Sequence, residues 1–326
     1  MSLRFFIVGS SEAGRPLGIC LSARLALPRS AVRRMLAAGQ VRVNGKPCLD
    51  PHWRLQRGQR VQARLTDSPR QREKPAPLRL PSGPRPTIRY ADAHLVVVDK
   101  PAGLTTMRHA EEAAEFGSRA KRFLPVTLAD VLPALLARRS SKEELPVRAV
   151  HRLDKDTSGL VVFARTVEAE RHLGKQFRAH SIERRYLALV RGQAKEGRIE
   201  SHLVRDRGDG RRGSSITPKE GQLAVTHVRI VEAFDAYTLV ECRLETGRTH
   251  QVRIHLGEAG TPLCGERLYD RPLHGKPCAD DSGIKRVALH GAFLAFNHPM
   301  TGERMSWTSK PPRDLATLLN RLRKPQ

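Results

Sequence analysis

His151-Arg152-Leu153-Asp154-Lys155-Asp156-Thr157-Ser158-Gly159 is the stretch on which the chain turns. Val147 to Val150 reads as a strand running into it, and Leu160-Val161-Val162-Phe163-Ala164 is a continuous apolar run that reads as a buried strand leaving it. The nine residues, most of them polar, therefore form a loop between two core strands. Polar groups held at a core without a task are costly, and active groups tend to sit on loops carried by rigid elements. Asp154 stands between Arg152 and Lys155, and nearby positive charge suits an ionised carboxylate. Such a group serves either as a nucleophile or as the counter-ion of a basic substrate.

Charge decides against a basic substrate. The 326 residues hold 58 Lys and Arg against 33 Asp and Glu, a net +25. That balance calls for a polyanionic partner, nucleic acid or an anionic membrane. No apolar run is long enough to span a bilayer, and Met1 to Ser10 has no cleavage-like pattern, so neither a membrane nor secretion is expected. The five cysteines are scattered and form no CxxC pair, which points to reduced thiols in the cytoplasm and away from a zinc site. A monomer is expected. The first 90 residues carry 18 basic and 4 acidic side chains, a net +14, so the chain opens with a basic module ahead of a more balanced body.

Residues 11–66 read as that module, a small α+β unit. Ser30 to Ala38 is a short helix with Gly39 just past its end. Val32, Met35 and Leu36 share one face, and Arg29, Arg33 and Arg34 take the other side or the start. Val41-Arg42-Val43-Asn44-Gly45-Lys46 is a hairpin, since Asn-Gly accepts the positive φ that a tight turn requires. Arg42 points outward there. A basic helix beside a hairpin, with Arg29, Arg33, Arg34, Arg42 and Lys46, forms a phosphate grip; the plainer reading is a solvated basic surface. Residues 67–86, with six prolines, read as an extended linker.

The body spans 87–326. Thr87 to Tyr90 and Leu95 to Val98 are strands, the second apolar throughout and so central. Residues 105–126 show no period and read as an insertion. Thr127 opens a helix with Asp130 in the capping position. Val167 to Ala179 reads as a helix, and Arg184 to Val190 as a strand in which Tyr186 is a half-buried aromatic. Residues 205–221 read as an exposed loop. Two antiparallel strands, Val225 to Val231 and Tyr237 to Leu244, lead to Gly247-Arg248-Thr249-His250-Gln251, where Thr249 is placed to cap a helix and Arg248 to face a cleft. His250 and His255 lie five apart, off a common helix face, so a metal pair is not expected.

Two resemblances then enter. Leu27 to Lys46 resembles the small RNA-binding domain first recognised in a ribosomal small-subunit protein, of the S4 type. His151 to Gly159, Tyr186-Leu187-Ala188, Thr246 to His255, Pro262 to Tyr269 and Leu289 to Pro299 stand in the order seen in pseudouridine synthases of the RluA type. The resemblance implies an α+β fold, a mixed and mostly antiparallel sheet with a central cleft. It implies isomerisation of uridine in ribosomal RNA, that of the large subunit above all, or in transfer RNA, with no cofactor and no metal. Asp154 would be the catalytic carboxylate, Tyr186 would lie against the base, and Arg248 would pair with Asp154. Arg152, His151, Thr157, Thr249 and His250 would bind substrate. From another class, the basic module alone would serve a non-catalytic RNA-binding or ribosome-assembly factor. A zinc deaminase is opposed by the missing CxxC and HxE signature.

Overall fold

A computed structural model describes residues 2–27, 29–65, 84–108, 124–140, 146–217 and 219–324. The chain divides into two units, residues 1–77 and 78–326. The Pro-rich linker lies almost wholly outside the described residues, and so does most of the insertion, residues 109–123.

The small unit is a four-stranded sheet and two helices. Its elements are β1 (Ser2–Ile7), α1 (Leu17–Leu25), α2 (Arg29–Ala37), β2 (Val41–Val43), β3 (Lys46–Pro47) and β4 (Arg60–Leu65). Strand order is β1-β4-β2-β3. Val41 and Val43 are buried and Arg42 is exposed, as the alternation required. Asn44 and Gly45 take φ values of 50° and 80° in the turn. Val32 and Leu36 of α2 meet Leu17, Leu21, Val41 and Val61 in the core. The sheet begins earlier than residue 11, because β1 pairs with β4 from Ser2↔Leu65 to Ile7↔Arg60.

The large unit contains β5 (Thr87–Ala91), β6 (Leu95–Lys100), α3 (Leu128–Ser140), β7 (Arg148–Ala149), β8 (Ser158–Ala164), α4 (Val167–Arg178) and β9 (Glu183–Arg191). There follow β10 (Gly197–Val204), β11 (Gly213–Ser214), β12 (Gln222–Ala233), β13 (Tyr237–Leu244), α5 (Gln251–Glu258), β14 (Leu289–Asn297), β15 (Arg304–Thr308) and α6 (Arg313–Leu322). One mixed sheet runs β11-β10-β12-β13-β9-β14-β8-β6-β5, with β15 beside β14 and β7 beside β8. Every pairing is antiparallel except β14 with β8. This is the α+β, mostly antiparallel arrangement expected.

The apolar runs of β6 and β8 are explained by cover on both faces. Val96, Val98, Val161 and Phe163 pack in the same core as Leu128, Leu132 and Leu136 of α3. Leu95, Val97, Leu160 and Val162 pack in another with Ala169 and Leu173 of α4 and with Phe296 of β14. Each such side chain contributes about 1.5–3 kcal/mol on burial. α4 starts at Thr166, whose side chain accepts the Ala169 N–H at 3.1 Å. Three strands converge at Gly159. It pairs with Lys100 of β6 and with Gly291 of β14. A β-carbon there would lie 2.3 Å from the Gly291 carbonyl oxygen, and φ is 121°, so only glycine fits. Among the described residues no helix is long and apolar enough to cross a membrane.

Candidate active site

The loop from His151 to Thr157 is pinned along its backbone, Asp154 included, whose carbonyl accepts the Thr157 N–H at 3.2 Å. His151 Nε2 accepts the Val162 N–H at 3.0 Å. Leu153 is buried, and the Thr106 hydroxyl both donates to its carbonyl at 2.7 Å and accepts its N–H at 3.1 Å. The Lys155 carbonyl accepts from Lys100 Nζ at 3.1 Å and from the Gly103 N–H at 2.8 Å. The Asp156 carbonyl accepts from Arg286 Nη1 at 3.2 Å. Ser158 Oγ meets His290 Nδ1 at 3.0 Å. Lys100 is fully buried and also donates to the carbonyls of Pro101 and Leu104. Burial pulls its pKa down to about 7, against the pull of Asp154 and Asp156. Backbone polar groups at a core must find partners, and here the partners fix the loop's path. Asp154 is left projecting from a rigid frame.

A guanidinium and an imidazole stand against that carboxylate. Arg253 Nη1 lies 3.6 Å from Asp154 Oδ2, and His250 Nε2 lies 3.7 Å from the same oxygen. Arg253 is itself held by Glu266, whose Oε1 also accepts the N–H groups of Arg267 and Leu268 at 3.0 and 2.9 Å. His250 Nδ1 is 2.8 Å from the Tyr269 hydroxyl, and burial lowers the His250 pKa, opposed by Asp154. The expected pairing of Arg248 with Asp154 is therefore corrected. Arg248 turns its Nε to the Leu223 carbonyl at 2.9 Å and lines the cleft, and Arg253 is the arginine that meets Asp154.

The helix start differs too. Thr249 is exposed, and the residue before α5 is His250, in the left-handed region at φ 59° with no side-chain cap. The Gln251 amide ties down the turn that precedes the helix. Its Oε1 accepts the Arg248 N–H at 3.0 Å and the Thr246 hydroxyl at 2.8 Å, and its Nε2 donates to the Val225 carbonyl at 2.9 Å. The 205–221 segment is mostly exposed, as expected, but one arginine within it is not. Arg207 is buried between Asp209 and Glu258, with Nη1 3.0 Å from Glu258 Oε1.

Asp154 forms part of the wall between two adjoining clefts. One, of about 400 Å³, is bordered by His151, Arg152, Asp154, Arg184, Tyr186 and Arg248, with Thr249 at its rim. The other, of about 380 Å³, is bordered by Arg108, Arg152, Asp154, Lys155, His250 and Arg253. Both are of the size that small ligands occupy, and their walls are basic. Tyr186 is buried under the first; burial raises its phenol pKa, Arg184 working against and Asp154 with that shift. Arg152 is exposed and borders both.

His151 and Thr157 belong to the frame. His151 stacks on Phe177 with ring centroids 4.7 Å apart, and burial drives its pKa down to about 3, so it stays neutral. Thr157 is 2% exposed. In the small unit Arg33, Arg42 and Lys46 are exposed, whereas the side chains of Arg29 and Arg34 lie outside what is described. The site thus offers a carboxylate, an adjacent guanidinium and imidazole, a buried phenol and basic walls. That set suits acid–base or nucleophilic work on a polyanion.

A family model described as RNA pseudouridylate synthase matches residues 94–258, and one for the S4 domain matches residues 19–61. The ribosomal large subunit pseudouridine synthase D of Xanthomonas campestris pv. campestris is 34% identical over 99% of this chain and 93% of its own length. The chain belongs to the RNA pseudouridylate synthase family. The synthase of the same description from Pseudomonas aeruginosa is 37% identical over 72% of this chain and 71% of its own. The solved structure of human RNA Pseudouridylate Synthase Domain Containing 4 shares the synthase fold, with a TM-score of 0.57 at 24% identity over 72% of this chain and 92% of that one. This synthase is accordingly an isomerase that acts on RNA, of the RluA type, with an S4 domain in its small unit.

Proposed function

We propose that the synthase converts uridine to pseudouridine in ribosomal RNA of the large subunit, with Asp154 as the catalytic carboxylate. The observation that carries this reading is the projection of the Asp154 carboxylate from a pinned loop, between two basic clefts, with Arg253 3.6 Å away. The large-subunit substrate is supported by the relatives named above.

In this reaction the bond from ribose C1′ to ring N1 breaks, and a bond from C1′ to ring C5 forms. The proton leaves C5 and N1 gains one. Nothing is oxidised and no group is imported, so the synthase works without metal or cofactor. It acts as a monomer in the cytoplasm, where its scattered cysteines stay reduced. The base must leave its stack to reach the carboxylate, at a cost of a few kcal/mol. Tyr186 lies against that base, and Arg152, Arg248, Thr249 and His250 contact the strand around it. His151 and Thr157 support the loop beneath. Arg29, Arg33, Arg34, Arg42 and Lys46 of the small unit take phosphates elsewhere on the RNA, supplying affinity.

The test uses ribosomal and transfer RNA carrying tritium at uracil C5. Wild-type protein is expected to release tritium from ribosomal RNA, and Asp154→Asn to bind the same RNA without release. Turnover by Asp154→Asn ends the assignment of the carboxylate, and release from transfer RNA alone ends that of the substrate.

A further inference from the structure

A cation occupies an apolar position at the floor of the first cleft. On β9, Arg184, Tyr186 and Ala188 alternate toward the same buried side, and all three are buried. Arg184 is 8% exposed. Among the described residues no carboxylate pairs with it, and its buried Nε has no hydrogen-bond partner. Its hold on the protein is Nη2 to the Thr246 carbonyl at 3.1 Å and a place 5.5 Å from the centre of the Phe177 ring.

The neighbourhood is shaped to admit the guanidinium. A β-carbon on Gly247 would sit 2.5 Å from Arg184 Nη1, so the glycine before Arg248 leaves room for it. Tyr186, two residues on, borders the same cleft, as do His151 and Arg248. Burying a charge without a counter-charge costs several kcal/mol, and an apolar residue of the same length removes that cost. A purely structural role is better filled by methionine. Keeping arginine makes sense if the counter-charge arrives with the ligand.

We propose that Arg184 is the anion site of this cleft and takes a phosphate of the nucleotide whose base lies against Tyr186. The proposal rests on the RNA reading of the site given above. Arg184 presents a planar fork to a phosphate at the cleft floor. Arg152 and Arg248, nearer the surface, make screened contacts by comparison. Since the phosphate is common to every nucleotide, Arg184 fixes the depth of insertion and leaves choice of base to other groups.

The test compares wild type, Arg184→Met and Arg184→Lys. Three quantities are read: Tm, the Tm increment given by inorganic phosphate, and Kd for an unmodified large-subunit ribosomal RNA transcript over a salt series. Arg184→Met is expected to match or exceed the wild-type Tm and to lose part of the phosphate increment. Its RNA Kd rises about tenfold, and its salt slope falls by about 1. Arg184→Lys restores part of the phosphate increment. A methionine variant that is less stable than wild type but binds phosphate and RNA normally overturns the proposal, because Arg184 is then a strut. Tritium release by wild type is followed in parallel. Its absence counts against the synthase reading, whereas the phosphate increment judges Arg184 by itself.

Discussion

Arg253 turns Nη1 toward Asp154 at 3.6 Å while its Nε and Nη2 hold the two carboxylate oxygens of Glu266, at 2.6 and 2.9 Å. The fork is spent on one acid so that the remaining nitrogen can face the other. Glu266 is thereby a positioning residue, nearly fully buried and anchored by the turn that follows it.

Glu266→Gln leaves Arg253 present but loosely aimed. A misplacement of about 1 Å at a reacting centre costs about a hundredfold, so single-turnover tritium release is expected to slow by that order while RNA Kd stays within threefold. Arg253→Met should cost more, about 10² to 10³. Arg248→Ala should act chiefly through KM, since Arg248 does not reach Asp154. Equal losses of kcat in Arg248→Ala and Arg253→Met would contradict this division.

Tyr186→Phe removes one oxygen from a buried ring and leaves the packing. Stability is expected to stay within about 1 kcal/mol, RNA binding to persist, and kcat to fall by about 10² or more. Burial raises the phenol pKa above its usual 10, so turnover in the wild type should show no Tyr186 limb between pH 6 and 9. A fully active phenylalanine variant would remove the hydroxyl from the chemistry.

Acid should weaken the fold before its carboxylates titrate. Burial lowers the pKa of His151 to about 3 and that of His255 to about 4. Both histidines take up a proton near pH 6.5 when unfolded. Below that value the unfolded state binds more protons than the folded one, so stability is lost as pH falls. The loss runs from 6.5 down to the folded values, at up to about 1.4 kcal/mol per pH unit for each histidine. Asp92, held by the Leu95 and His94 N–H groups, and Asp130 and Glu266, held by backbone N–H groups and arginines, have lowered pKa values, so their contributions are lost below about 4.5. Urea unfolding at pH 7.5, 6 and 5 reads the histidine window. His255→Gln should flatten the slope there, and an unaltered slope would refute the account.

Lys100→Met takes the donor from three carbonyls at once, those of Pro101, Leu104 and Lys155. Orphaning buried acceptors is expected to cost roughly 3 kcal/mol and to lower Tm by about 10 °C. Turnover should fall further than stability alone explains, because Lys155 follows Asp154 in the loop. A variant with wild-type Tm would show that water replaces the ammonium.

Much of this was legible in the residues. Apolar strands flanking a polar loop placed Asp154, and Asn44-Gly45 placed the hairpin. The strand from Arg184 to Val190 was legible as well, with Tyr186 a half-buried aromatic within it. What the sequence hid were meetings between distant residues. Arg253 belongs to the first turn of α5, where side chains lean back toward the helix start; that lean carries it to Asp154, whereas Arg248 looked better placed because it lies in the turn. The burial of Arg207 within a stretch that reads as an exposed loop was hidden because Glu258, its partner, lies 51 residues further on. Thr249 looked like a cap, but Gln251 satisfies the turn through its side chain.

The contact of Gly159 with Gly291 leaves the loop that carries Asp154 no slack. Lys100 grips it near Lys155, and at Gly159 two strands close on it with no room for a methyl group. One residue added or removed between them cannot be absorbed and must displace Asp154. Length can change instead at segments such as 215–217, which belong to no strand or helix. Tolerance of length change is thereby channelled outward: exposed segments can lengthen or shorten without moving the carboxylate, whereas the stretch that carries it cannot.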